Sequence, residues 1–374
     1  MMRGSTGETG TDGGQTMRLA ARLAIGVAAL ALAGGIAAKL WQVPIAMRML
    51  TRVAAERVGR DVTAGLPDGL HVILCGTGSP LPDPTRAEPC NVVIAGRQIY
   101  VVDAGDGGPR KLAQMGLPFG RINGVLLTHF HSDHIDGLGP LMLLRWTGAG
   151  ATSPLPIHGP PGVEQVVAGF NAAYKIDNGY RTAHHGPVIT PAAGAGGTAL
   201  PFAMADAPVV VVQQDGLTIT AFPVNHRPVS PAVGYRFEYK GRSVVLSGDT
   251  AASPSLDAAA RGADLLVHEA LQPKMVAILT DALAAKGQAN TAQITRDIID
   301  YHSTPEMAAD AASRAGVTEL VLSHLVPPLP FAYAYPAFLG DAAQHFSGPI
   351  TVGEDGMMFS LPTGSKSIER KKLL

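Results

Sequence analysis

Thr128-His129-Phe130-His131-Ser132-Asp133-His134 is the stretch that decides how this chain is read. Three imidazoles and a carboxylate fall within six consecutive positions, directly behind the apolar run Val125-Leu126-Leu127. A strand points residues i and i+2 to one side, so His129 and His131 can reach a single metal from its end. Asp133 and His134 then lie at the turn into a helix, placed to face a second ion. A polar loop with incidental histidines accounts for one such residue but not for this spacing. The segment reads as a metal site.

Three further donors each follow an apolar run of strand character, where a loop can carry them to one edge of a sheet. Residues 217–224 lead to Asn225-His226, residues 243–247 to Gly248-Asp249-Thr250, and residues 317–323 to His324. Singly, each passes for a capped or buried polar residue. With the first run they complete a seven-residue donor set for two metals. Imidazole and carboxylate suit zinc, and also Mn²⁺ or Fe²⁺. Zinc, two ions per chain, is the expectation.

These residues resemble the signature of the metallo-β-lactamase fold, His-x-His-x-Asp-His followed by a distant His, Asp and His. The resemblance spans roughly residues 70–361. It implies an α/β protein, a four-layer αβ/βα sandwich preceded here by an N-terminal apolar helix. It further implies that His129, His131 and His226 hold one zinc, that Asp133, His134 and His324 hold the other, and that Asp249 bridges them. Asp103-Ala104-Gly105 is similar to the family's buried Asp-x-Gly turn, with Asp103 orienting the histidine loop rather than binding metal.

Other motifs narrow the branch. Cys75-Gly76-Thr77-Gly78-Ser79-Pro80, Asp83-Pro84-Thr85-Arg86, Val267-His268-Glu269-Ala270 and Tyr301-His302-Ser303-Thr304 resemble the ribonuclease Z group. In that group the glutamate and the histidine act as a pair near the scissile bond, here Glu269 and His302. A subset of the group hydrolyses aryl sulfates, and the chain looks closest to it. The stretches that carry this are Ile157-His158-Gly159-Pro160-Pro161-Gly162, Ala173-Tyr174-Lys175-Ile176-Asp177 and Ala221-Phe222-Pro223-Val224-Asn225-His226.

The expected activity is therefore a two-zinc hydrolase of sulfate-ester or phosphodiester bonds, arylsulfatase-like or a phosphodiesterase, working through a metal-bridged hydroxide. Asp133 would orient or deprotonate the water. His302 would donate to the leaving group, with Glu269 holding its tautomer. The alternative is transfer-RNA 3′ processing of the ribonuclease Z type; a lactonase or a non-catalytic metal-binding module stands behind it. The expected partner is a small or medium ester substrate, and a homodimer is an allowed assembly. Nucleic acid is not favoured, because the formal net charge is −1 and residues 182–202 contain no Lys or Arg. His184-His185 can touch substrate, although such a pair is more often solvated.

With 374 residues, 44 Gly, 29 Pro and 16% charged residues, the chain suits one large loop-rich domain with appendages. Residues 1–16 read as a disordered tail, 17–41 as a signal peptide or membrane anchor, 42–66 as an amphipathic linker helix and 67–364 as the catalytic domain. The uncharged apolar run at 23–38 is short for a spanning helix, which needs about 20 apolar residues, and long for a signal core. The expected location is membrane-anchored or exported, with the catalytic part facing the periplasm; the flanking basic residues keep a cytoplasmic face in play. Cys75 and Cys90 are read by default as packing residues, with pairing left open. Residues 187–208 read as a loop or lid.

Overall fold

A computed structural model describes Met1 and residues 12–204 and 206–374. The described chain divides into two units, Met1–Arg60 and Asp61–Leu374.

The first unit is a single helix, Asp12–Arg57, with Pro44 inside it. Residues 2–11 of the expected disordered tail lie outside the described residues, but 12–16, assigned to the same tail, are helical. No break separates 17–41 from 42–57, so the expected anchor and linker are one helix. The linker's last residues belong instead to the second unit, where Val62 is buried in the core and Asp61 Oδ1 accepts from the Thr63 N–H and hydroxyl.

The second unit is built on two sheets. Strands β1 (Gly69–Gly76), β2 (Cys90–Ala95), β3 (Gln98–Val102), β4 (Ile122–Leu126), β5 (Leu155–Gly159) and β6 (Gly197–Pro201) form most of the first. The second holds β7 (Val209–Gln214), β8 (Leu217–Pro223), β9 (Val233–Tyr239), β10 (Arg242–Leu246), β11 (Leu265–Leu271), β12 (Glu319–Val326) and β13 (Ile350–Val352). The chain then returns through β14 (Met357–Pro362) and β15 (Glu369–Lys372) to complete the first sheet in the order β15-β14-β1-β2-β3-β4-β5-β6. The second runs β13-β12-β11-β10-β9-β8-β7.

Alternating side chains explain the layering. Leu70, Val72 and Leu74 of β1 join Ile219, Tyr235, Phe237 and Val267 in the core between the sheets. Ile73 of the same strand points the other way, into a core closed by Leu112, Leu141 and Val167 from helices. The second sheet does likewise: Val245, Leu266 and Leu322 pack on Ala308, Ala312 and Phe338. Strands covered on both faces carry nearly continuous apolar runs, and the product is the expected four-layer sandwich. Tyr235 links the sheets by a polar contact as well, its buried hydroxyl donating to the Leu127 carbonyl at 2.6 Å.

Several local expectations are corrected. The supposed lid at 187–208 contains β6, paired parallel to β5. Asn171 holds that strand's start, its side-chain amide exchanging two 2.9 Å hydrogen bonds with Gly197. Residues 162–175 read as a helix from sequence, and that helix runs on as Val163–His185. Helices Pro254–Ala259, Pro273–Ala285 and Ala289–Asp297 had no assignment from sequence. The default packing role for the cysteines also fails, since Cys75 and Cys90 form a disulfide with Cα atoms 5.0 Å apart. Cys75 is the extra residue where β1 slips against β2, and this brings it beside Cys90.

Replacing Tyr235 by Phe strips a buried carbonyl of its donor. The Tyr235→Phe protein should lose about 1–3 kcal/mol of unfolding free energy, read as a lower urea midpoint with an unchanged slope.

Candidate metal centre

The strands deliver the donors to one edge. Beyond β4, Thr128 is fixed by Asp103: its N–H donates to Oδ1 and its hydroxyl to Oδ2, both at 2.8 Å. His134 Nδ1 donates to Asp103 Oδ2 at 2.8 Å, which leaves Nε2 directed inward. Asp103 does this from a left-handed backbone, φ 57°. Such strain in a non-glycine residue persists where the surroundings hold it. Gly105 lets the turns meet, because a Cβ there would sit 2.1 Å from the Asp133 carbonyl oxygen.

His324 reaches the edge by a different device. Glu269 pairs with Ser323 and Ala270 with Leu325, so His324 is an unpaired extra residue in β12, at φ 46°. A bulge of this kind re-aims one side chain out of the strand's alternation. Gly248, at φ 61°, carries the chain from β10 to Asp249 past the Val233 carbonyl.

The seven donors expected from sequence all converge. His131 Nδ1 lies 3.0 Å from His129 Nε2 and 3.4 Å from His226 Nε2, and Asp249 Oδ2 lies 3.9 Å from each of those Nε2 atoms. On the other side, His324 Nε2 is 3.2 Å from both Asp133 Oδ2 and Asp249 Oδ2. His134 Nε2 is 3.3 Å from Asp249 Oδ2 and 3.6 Å from Asp133 Oδ2. Tetrahedral zinc with ligands at 2.0–2.1 Å separates its donors by about 3.3 Å. These spacings match that figure. Asp249 belongs to both groups.

Electrostatics agree with a cation site. Burial pushes His129 well below its usual pKa, and lowers His131 and His226, which keeps three imidazole lone pairs free. Burial would also depress His134 and His324, but Asp249 and Asp133 outweigh it and raise both, His324 to about 9. Burial would raise Asp249, yet the imidazoles of His324 and His134 hold it well below the normal carboxylate range. His134 Nε2 is buried and makes no hydrogen bond among the described residues. Native proteins rarely leave such an atom unpartnered, and a divalent cation would satisfy it. The residues fit the metal.

Beside this cluster His302 Nδ1 faces Glu269 Oε1 at 3.1 Å. The same oxygen accepts from the N–H groups of Thr250 and Ser303, at 3.1 and 2.9 Å. His302 also comes within metal-ligand range of Asp249 and His324. The expected pair is thus assembled at the edge of the donor group. Sequence reading missed the Tyr301 carbonyl, which accepts from His226 Nδ1 at 3.0 Å and so turns Nε2 inward. A backbone acceptor leaves no residue-type signal. It also missed the wall formed by the helix Ala289–Asp297, since Thr291 and Ile294 line the same cavity of about 230 Å³ as His131, Asp133, Asp249, His302 and His324. His184 and His185 lie in the last turn of the helix Val163–His185 and are not among that cavity's lining residues. A larger cavity of about 550 Å³ runs along that helix, but no His, Cys, Asp or Glu lines it.

Fold and site together define a metal-dependent hydrolase. A family model described as Beta-lactamase superfamily domain matches residues 100–325. Ribonuclease Z of Mycobacterium avium (strain 104) is 40% identical over 288 residues, covering 76% of this chain and 96% of that protein. Ribonuclease Z of Mycobacterium bovis (strain BCG / Pasteur 1173P2) is 41% identical over 297 residues, with the same coverages, 76% and 96%. Among solved structures, the metallo-beta-lactamase fold protein YhfI from Bacillus subtilis superposes with TM-score 0.56 at 21% identity, over 79% of this chain and 100% of that one. The short form of human tRNase Z gives TM-score 0.56 at 23% identity, over 78% and 99%. The chain belongs to the metallo-β-lactamase superfamily, in the branch of these ribonuclease Z proteins, and is a metal-dependent hydrolase acting on ester bonds.

Asp249→Ala removes the carboxylate common to both donor groups. Metal analysis of the purified variant should find little bound metal, with hydrolysis abolished; a full metal complement would remove Asp249 from the site.

Proposed function

We propose that this chain hydrolyses phosphodiester bonds in the manner of ribonuclease Z, with transfer-RNA 3′ processing as the first activity to test. The carrying observation is the His302–Glu269 pair beside the clustered donors, in a chain 40% identical to a ribonuclease Z over 96% of that protein's length. His129, His131 and His226 would hold one zinc ion, Asp133, His134 and His324 the second, and Asp249 both. Bound divalent ions supply an activated water and neutralise charge on the phosphoryl oxygens.

The chain's own groups do the rest. Asp133, in the cavity wall, orients the attacking water and accepts its proton. His302 gives a proton to the departing oxygen from Nε2, while Glu269 holds Nδ1 and stabilises the ring's positive charge. Thr250 and Ser303 fix Glu269 for that task.

A second reading, a small aryl phosphodiester or sulfate ester, draws on one observation. Neither the cavity lining nor residues 182–202 supplies a Lys or Arg among the described residues, and phosphate-backbone binding depends on such charges. Metal-loaded protein assayed on precursor tRNA, a bis-aryl phosphodiester and an aryl sulfate separates the two. Cleavage of the precursor after its discriminator base supports the first reading, and turnover of the aryl esters alone supports the second. No turnover with two metals bound would overturn both. In the same assay His302→Ala should keep its metal and slow esters of poor leaving groups by about 10²–10⁴-fold, sparing activated ones; equal losses would remove its role as acid.

The location we propose is a membrane anchor with the catalytic unit facing an oxidising compartment, a placement that favours the small-ester reading because precursor tRNA is held in the cytosol. In support, the helical stretch Gly14–Arg57 contains a window of mean hydropathy 2.0, long enough to cross a bilayer, with none of it buried. The Cys75–Cys90 pair adds to this, since disulfides persist outside the reducing cytosol. Alkaline extraction should leave the protein in the membrane pellet, and protease should degrade the catalytic unit in intact spheroplasts. Protection until lysis would place it on the cytoplasmic face.

A further inference from the structure

The cavity at the metal centre has two chemically different walls. One is the donor group already described. The other is apolar, made by Leu81, Ile294, Ile298, Tyr301 and Val326. Its base is fixed: Leu81 and Ile298 pack against the buried cluster of Leu271, Val276 and Val326. The helices Pro273–Ala285 and Ala289–Asp297 are tied across by the buried Thr280 hydroxyl, which donates to Thr295 Oγ1 at 2.8 Å. Its upper rim is not covered. Ile294 is 58% exposed although it lines the cavity. The Tyr301 ring stands edge-on to His226, centroids 4.9 Å apart, and its hydroxyl makes no hydrogen bond among the described residues.

Scattered surface hydrophobics need no explanation, but a contiguous apolar wall facing a polar reaction centre does. The available space, about 230 Å³, falls below the roughly 300–1,000 Å³ of pockets that enclose a whole drug-sized ligand. It suits one compact group attached to the phosphoryl centre rather than a length of polymer. A flat ring meets these demands, since its faces lie against aliphatic side chains and aromatic edges.

We infer that Leu81, Ile294, Ile298 and Tyr301 form a subsite for a planar aromatic ring directly attached to, or one sugar removed from, the scissile phosphorus. This rests on the reading of the site as a phosphodiesterase and deepens it: the enzyme selects by the ring beside the bond. A nucleobase and an aryl ester share that chemistry.

Competitive inhibition of bis-aryl phosphodiester turnover by small phosphorus compounds tests it, using the full chain in detergent with metal loaded. Methylphosphonate and phenylphosphonate differ only in the group offered to the wall. Phenylphosphonate should bind about ten-fold or more tightly than methylphosphonate, the scale on which apolar pockets discriminate. In Ile294→Ser that ratio should fall toward one, with metal content and methylphosphonate inhibition unchanged, and Ile294→Leu should restore it. Because Ile294 is largely exposed, its replacement spares the fold. A nucleoside monophosphate showing the same Ile294-dependent gain over inorganic phosphate identifies the ring as a nucleobase; gain with phenylphosphonate alone identifies an aryl ester. A wild-type ratio near one, or a ratio untouched by Ile294→Ser, overturns the subsite while leaving the phosphodiesterase reading intact. Absence of diester turnover in metal-loaded protein overturns that reading, and the subsite with it.

Discussion

A carboxylate crowded by imidazoles inside an apolar sandwich is the constraint on which this molecule turns. Asp249 Oδ2 lies within 3.9 Å of ring nitrogens from four histidines. Polar atoms removed from water without full hydrogen bonding cost several kcal/mol each in an apolar surrounding. The chain accepts that cost in six buried side chains, with His131 part-exposed beside them, and divalent cations bound there would offset it. Much of the nearby backbone can be understood from this requirement. Asp103 and His324 take left-handed conformations, β12 carries a bulge, and glycines stand where loops from different strands must touch.

The partners outside the donor group are as specific as the donors. Asp103, Thr128 and the Tyr301 carbonyl each occupy the far side of a metal-facing ring, so the nitrogen turned toward the centre is fixed by what holds the other one. Glu269 performs the same service for His302. These supports come from the segments just beyond β3 and β4, from β11, and from the segment before the helix Pro305–Ala315. The site is therefore a property of the two sheets packed together.

How much of this was legible in the sequence follows from the range of the forces involved. The run from His129 to His134 is local, and its chemistry is visible without a fold. His226, Asp249 and His324 were found because each ends an apolar run, the mark of a strand buried on both faces. The helices Pro273–Ala285 and Ala289–Asp297 were not found. They sit on the rim, and their apolar residues are divided between a small buried cluster and an open cavity, which blurs the stripe expected of a packed helix. The disulfide was equally hidden, because pairing depends on a slip in register between β1 and β2 that no spacing of cysteines reveals. The tail and linker boundaries have no counterpart in secondary structure, since a helix of 46 residues runs through both.

The bulge in β12 has a consequence for how this protein tolerates change in length. Side chains in a strand alternate with strict parity, and the unpaired residue at 324 resets the count between Ser323 and Leu325. Loss of a neighbouring residue lets the strand pair without the bulge, and His324 then takes a place in the regular alternation while Leu325 and Val326 keep their partners on β11. Descendants of this sequence can exchange residues along β12 far more freely than they can shorten it.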